Sequence, residues 1–149
     1  MTWDDLIANR WVQKHRTSPN EIRDLRNLIE RDLTDARIEA LSEDRRFATA
    51  YNGALQISKM AIAAAGYRLA KGNSAHFQAF ETLKTAIPTT EIEDLCDYFD
   101  RCRRKRNHID YDSSDVVTQT EVEEIIEKTI EFRNLVEEWI AAEHRELRA

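Results

Sequence analysis

From Arg101 to Asp112 the chain reads Arg-Cys-Arg-Arg-Lys-Arg-Asn-His-Ile-Asp-Tyr-Asp, and five of the six residues from Arg101 to Arg106 are basic. A guanidinium carries a permanent charge and a planar fork of donors that matches carboxylate and phosphate oxygens, so the chemistry on offer is anion binding. The macrodipole favours cations near a helix C-terminus by a fraction of a kcal/mol each, roughly 0.3–1, which accounts for their sign. It does not account for where they point.

Their direction follows from the helix that must carry them. Ile92, Leu95, Phe99 and Cys102 define an apolar stripe. At about 100° per residue, Arg106 falls within about 20° of Phe99 on that stripe and Arg103 about 40° from it. The stripe therefore turns from apolar to cationic without leaving the inward face. An inward guanidinium requires a partner: a carboxylate, polar groups of a neighbouring chain, or a phosphate. His108 projects to the opposite side, about 180° from Phe99.

Other chemistries lack their signatures. The chain has no Gly-rich phosphate loop, CxxC pair, HExxH helix or nucleophile elbow. None of His15, His76, His108 and His144 has Glu three residues before it, so a Glu-x-x-His di-iron site is not encoded. Glu91, Asp94, Asp97 and Asp100 recur every three residues, as do Glu121, Glu124 and Glu127. Acidic helices of this kind hold Mg²⁺ in all-α nucleotide pyrophosphohydrolases, which makes that activity the second alternative. Steps of three rotate by about −60° each, however, so four carboxylates cannot share one face. No metal and no cofactor is expected.

The elements that position these residues read as helices. Thr2 opens an amphipathic helix to about His15, with Trp3, Ile7 and Trp11 at spacings of four. Ser18-Pro19-Asn20-Glu21 caps a second helix, whose stripe is Ile22, Leu25, Leu28, Ile29, Leu33 and Ala36. Ser42 starts a third, with Phe47, Tyr51, Ala54, Leu55 and Ile62 followed by Ala63-Ala64-Ala65-Gly66. Its small residues let neighbours approach closely and place it centrally, and Gly53 within it hints at tight packing at a cost of about 1 kcal/mol relative to Ala. Lys71 to Ser74 forms a loop, and a short helix spans about Ala75 to Ile87. Thr90-Glu91-Ile92-Glu93 caps the helix that carries the basic run. Residues Asp112 to Thr118 form a second loop. Thr120-Glu121-Val122-Glu123 then caps a long last helix with Val122, Ile125, Ile126, Val136, Trp139 and Ile140 inward.

Composition agrees with this pattern. Among 149 residues there are 3 glycines and 2 prolines, 42% of residues are hydrophobic and 34% charged. Sheets joined by tight turns need more Gly and Pro than that. The fold class is all-α, an antiparallel bundle of four long helices plus one or two short ones, with residues 1–149 as a single domain. The 22 basic and 28 acidic residues leave a formal net charge of −6, which excludes a broad basic surface but not a local basic patch. Cys96 and Cys102 lie six residues apart, a rise of about 9 Å on one helix, so they read as reduced thiols. With no signal sequence and no membrane span in the pattern, a cytoplasmic protein is expected.

At the basic segment the chain resembles the HEPN superfamily, whose signature is Arg, then a polar residue that is often Asn, three to five more residues, then His. The long third helix with Ala-Tyr-Asn-Gly-Ala-Leu-Gln, the loop after it and the Arg-Asn helix fit that layout. The resemblance implies a helical bundle that homodimerises and brings two copies of the motif into one cleft, often as a metal-independent ribonuclease. It also implies a toxin component as one role, with a nucleotidyltransferase-type antitoxin as partner, while other members have lost activity. Two registers fit. One places Arg106 and Asn107 in the motif, with Tyr111 in the histidine slot. The other pairs Arg103 with His108, with Arg104 in the polar slot. Asn107 and the stripe position of Arg106 favour the first. Arg26-Asn27 and Arg133-Asn134 have neither His nor Tyr five residues after their Arg and read as chance.

In metal-independent RNA cleavage a base deprotonates the 2′-OH and a cation stabilises the phosphorane. Histidine, with a pKa of about 6.5, serves as that base at neutral pH, whereas tyrosine, at about 10, is a poor one. The expected site is thus Arg103 and Arg106 as phosphate ligands, Asn107 as an orienting group, and His108 or Tyr111 for proton transfer. The function it implies is binding of RNA or a nucleotide phosphate, as a ribonuclease if the base is competent. The first alternative is a non-catalytic interaction module of adaptor, immunity or antitoxin type.

Overall fold

The computed structural model describes residues 1–72, 75–111 and 116–149, with backbone alone at 110 and 111. It is an all-α bundle with a two-stranded ribbon attached, in the order α1 (Trp3–Ala8), β1 (Val12–Lys14), α2 (Pro19–Ala36), α3 (Glu43–Ala64), β2 (Tyr67–Leu69), α4 (Ala75–Ala86), α5 (Thr90–Tyr111), α6 (Gln119–Glu143) and a 3₁₀ turn at Arg145–Leu147. Among the described residues, no helix is long and apolar enough to cross a membrane.

The N-terminal segment departs from its periodicity. Thr2 does cap α1, accepting from the Asp5 amide at 3.2 Å while Asp5 accepts from the Thr2 amide at 3.0 Å. The helix ends at Ala8, Arg10 takes a left-handed φ of 61°, and β1 follows instead of further helix. The physical reason is tertiary. β1 pairs antiparallel with β2, Val12 opposite Leu69 and Lys14 opposite Tyr67, and Trp3 stacks on Tyr67 at 3.9 Å. Few turn residues argue against hairpins, yet this ribbon needs none, because its strands come from distant parts of the chain. Gly66, with φ +95°, ends the α3 helix sooner than its Ala run suggests and directs the chain into β2.

The other starts follow cap chemistry with small shifts. Ser18 accepts from the Glu21 amide with Pro19 in the first turn, and Ser42 accepts from the Arg45 amide. Glu21 does not close a capping box; its carboxylate binds His15 Nε2 at 2.8 Å and Thr17 Oγ1 at 2.5 Å. For α5 the capping hydroxyl is Thr89, which takes the Ile92 amide at 3.3 Å, rather than Thr90. For α6 it is Thr118, in a capping box with Glu121, rather than Thr120. Two Thr-x-x-Glu frames overlap there. The earlier one coincides with the Val117 amide donating to Asp44 Oδ1 at 3.1 Å, which ties the start of α6 to α3.

The core forms around α3. Tyr51, Ala54, Ile57, Met60 and Ala61 on that helix are fully buried, and it packs on α2, α4, α5 and α6. A chain of rings links four helices: Phe132 to Phe99 at 5.1 Å, Phe99 to Phe80 at 5.7 Å, and Phe80 to Tyr51 at 6.0 Å. Each buried aromatic contributes about 1.5–3 kcal/mol through desolvation, and edge or offset pairing adds about 0.5–1.5 kcal/mol more. The chain of rings holds α3, α4 and α5 in the mutual position that creates the site.

Candidate functional site

On α5, Ile92, Leu95, Phe99 and Cys102 are buried, and further along the same stripe Arg103 and Arg106 are half-buried. Arg101 and Arg104 of the same run are exposed. Helical rotation thus turns Arg103 and Arg106 toward α3 and α4, while Lys105, also half-buried, turns toward α6. The Arg106 guanidinium carbon lies 5.7 Å from the centre of the Tyr51 ring on α3, and that of Arg103 lies 5.9 Å from the Phe77 ring on α4. A cation over an aromatic face gains about 0.5–2 kcal/mol, more as water is excluded. Arg103 also donates through Nε to Asp100 at 2.9 Å.

Two groups absent from the expected set join this cluster. The Tyr51 hydroxyl and Nδ1 of His76, the second residue of α4, share a hydrogen bond of 3.1 Å. Burial lowers the His76 pKa below its ordinary 6.5, and the charges of Arg106, Lys59 and Arg103 lower it further. His76 is therefore neutral at pH 7, with a lone pair on one ring nitrogen. Tyr51 shifts the other way. Its burial raises the phenol pKa above 10 despite the opposing pull of Arg106 and Arg103, so the hydroxyl keeps its proton.

The α5 residues beyond Arg106 divide. Asn107 and His108 are exposed, His108 as its half-turn offset from Phe99 requires. Tyr111 is the last residue of α5, and its side chain lies outside the described residues, as do residues 112–115 of the loop that follows. The structure thus joins Arg103 and Arg106 to Tyr51, Phe77, His76 and Asp100 within this chain, while His108 faces away from them. His76 carries no local motif. The only sequence signal for it is the four-residue spacing to Phe80, which places both on the α4 face that meets Tyr51.

Three of the acidic candidates have structural partners. Asp97 binds Lys84 at 2.6 Å, Asp100 binds Arg103, and Glu121 binds Lys105 at 2.8 Å. Among the described residues no group of three or more His, Cys, Asp or Glu side chains is arranged to hold a metal ion. Arg26 bridges α2 to Glu137 on α6 at 2.7 Å and to the Leu147 carbonyl at 2.6 Å, and Arg133 pairs with Glu30. Both additional Arg-Asn pairs therefore brace helices. Cys96 and Cys102 are free thiols, both buried.

Among known protein families, residues 38–137 match the one described as HEPN_SAV_6107-like HEPN. The matched span runs from the approach to α3 to the last third of α6, and so includes every residue of the cluster. Comparison with curated proteins and with solved structures gives no match.

Proposed function

Because the chain belongs to the HEPN superfamily, we propose that it engages RNA or a nucleotide phosphate on the face where Arg103 and Arg106 emerge from the core. The observation that supports this is the pairing of each guanidinium with an aromatic ring of a different helix, beside a neutral histidine. Such rings hold a guanidinium in a fixed position on this face. In this reading Arg106 and Arg103 bind phosphate oxygens and Asn107 orients the substrate. Proton transfer by a group at the end of α5, His108 or Tyr111, would complete a metal-independent endoribonuclease. The protein acts as a homodimer whose two Arg103–Tyr111 segments share a cleft. A toxin component in the cytoplasm, held in check by a nucleotidyltransferase-type antitoxin, is the biological setting proposed for it.

The direct test is fluorescence anisotropy of labelled single-stranded and structured RNA, in chelator, over a range of salt. Wild-type binding should weaken with salt, and Arg106→Gln and Arg103→Gln should each lower the log–log salt slope by about one phosphate contact. Equal affinity for wild type and the double variant would remove the proposal. Light scattering tests the dimer.

The ion pair of Arg103 with Asp100 favours a second reading, a non-catalytic interaction module whose arginines serve protein carboxylates. Asp100→Asn separates the two. It strengthens RNA binding if Arg103 is a phosphate ligand, and creates none if the module reading is correct.

A further inference from the structure

We propose that the cleft along the β1–β2 ribbon is a second phosphate-binding site, which holds the backbone of a single RNA strand that continues to Arg103. The proposal rests on the RNA-engaging reading for its ligand and makes that ligand a strand, not a mononucleotide. Arg10 and Lys14 lie before the span matched to the family, so the match does not account for this cleft.

In the sequence its cations are scattered, Arg10 and Lys14 on one segment and Arg68 and Lys71 on another. Antiparallel pairing sets Lys14 opposite Tyr67 and Gln13 opposite Arg68, the latter pair 55 residues apart in the chain. The four cations then line one open cleft of about 840 Å³, with Val12 and Leu69 among its apolar residues and no acidic side chain. All four are exposed, and none forms an ion pair among the described residues. Arg68 donates to Gln13 Oε1 at 3.1 Å, and the nearby acid Glu21 is already held by His15 and Thr17. In a chain of net charge −6, this is a local field that attracts an anion.

Arg10 points the same way. It follows the C-cap of α1, Asn9, with a left-handed φ of 61°, a position that glycine fills without a side-chain clash. Arginine there costs stability that glycine would not, and what it adds is a charge in the cleft.

Two rings lead from the cleft to α5. Trp11, between Arg10 and Val12, meets Phe77 of α4 edge-on at 6.0 Å, and Arg103 lies over Phe77 at 5.9 Å. A ligand that reaches both the ribbon cations and Arg103 needs several phosphates in series, which a strand has and a mononucleotide lacks. Such contacts go to the backbone, so they add affinity and salt dependence without sequence preference.

The test is anisotropy of the full chain with labelled oligouridylates of about 4 and about 16 nucleotides, in chelator and over a range of salt. Wild type should bind the long strand more tightly and with the steeper log–log salt slope. Arg10→Gln/Lys14→Gln/Lys71→Gln should lower that slope by about two, from three contacts at about 0.7 each, and remove most of the advantage of the long strand. Arg10→Gly relieves the left-handed strain, so its Tm should rise while its affinity for the long strand falls. Long and short strands bound alike by wild type overturn the proposal. So does a triple variant that melts like wild type and binds the long strand equally well; loss of binding in Arg103→Gln/Arg106→Gln would then leave the proposed function standing. Polyglutamate that displaces the long strand at equal charge overturns it in favour of an acidic protein partner. RNA not bound at all removes the proposed function as well.

Discussion

The Tyr51 hydroxyl and the Nδ1 atom of His76 lie 3.1 Å apart, joining α3 to α4 across 25 residues of chain. That contact places a titratable ring against two arginines. Because burial and then Arg106, Lys59 and Arg103 depress its pKa, the unfolded chain takes up a proton at His76 before the folded chain does. Stability linked to His76 is therefore complete above its unfolded pKa of 6.5 and is lost as pH falls from there through the lower folded value. The imidazole resonances of His76 should titrate below 6.5, and His76→Gln should narrow the loss of Tm between pH 7 and pH 5.

Asp32 predicts the opposite slope. This carboxylate is buried between α2 and α3, and desolvation raises its pKa despite an ion pair with Arg31 at 3.6 Å and a hydrogen bond from Asn52 Nδ2 at 3.3 Å. A raised acid pKa means that stability is greatest below the unfolded value of 3.8 and declines as pH rises through the folded value. Asp32→Asn should melt above wild type at pH 7, with the gap closing as the pH falls toward 3.8. Thermal melts across that range decide it.

Gly53 lies where α2 and α6 converge on α3. A β-carbon there would meet Asp32 Cβ at 3.5 Å and Thr129 Cγ2 at 3.6 Å, ordinary van der Waals contacts. Alanine therefore fits and removes the entropic cost of glycine in a helix. Gly53→Ala should stabilise by about 0.5–1 kcal/mol, a rise in Tm of about 1–4 °C for a chain of this size. A fall in Tm would show that even this contact distance is too tight.

The two thiols should be inert. Burial pushes Cys102 up to about 12 and Cys96 higher still, so neither forms appreciable thiolate near pH 8. Alkylation of the native protein at pH 8 should be slow at both positions and become fast only in denaturant. Rapid native labelling of either would contradict the packing of α5.

Much of the bundle was legible from local patterns. Ile22 to Ala36, Phe47 to Ile62 and Val122 to Ile140 bury the faces that their spacing marks out. Ser18 and Ser42 cap their helices because a hydroxyl before a run of unpaired amides has few better partners. Trp3, Ile7 and Trp11 misled, since helical spacing counts neighbours within a segment, whereas β1 is held by β2 from the far end of α3. The Thr90 and Thr120 caps shifted to Thr89 and Thr118 because nearby threonines offer equivalent hydroxyls, and packing chooses between them.

The candidate site divides along the same line. That Arg103 and Arg106 turn inward follows from residues on their own helix, because rotation per residue is a backbone property that any reader of the chain can apply. That these cations meet Phe77 and Tyr51, and that His76 rather than His108 stands with them, depends on how α3, α4 and α5 come together. The ring chain Phe132–Phe99–Phe80–Tyr51 sets that arrangement through buried contacts between residues distant in sequence. No local spacing encodes such contacts, since their energy exists only once water has been excluded from between the helices.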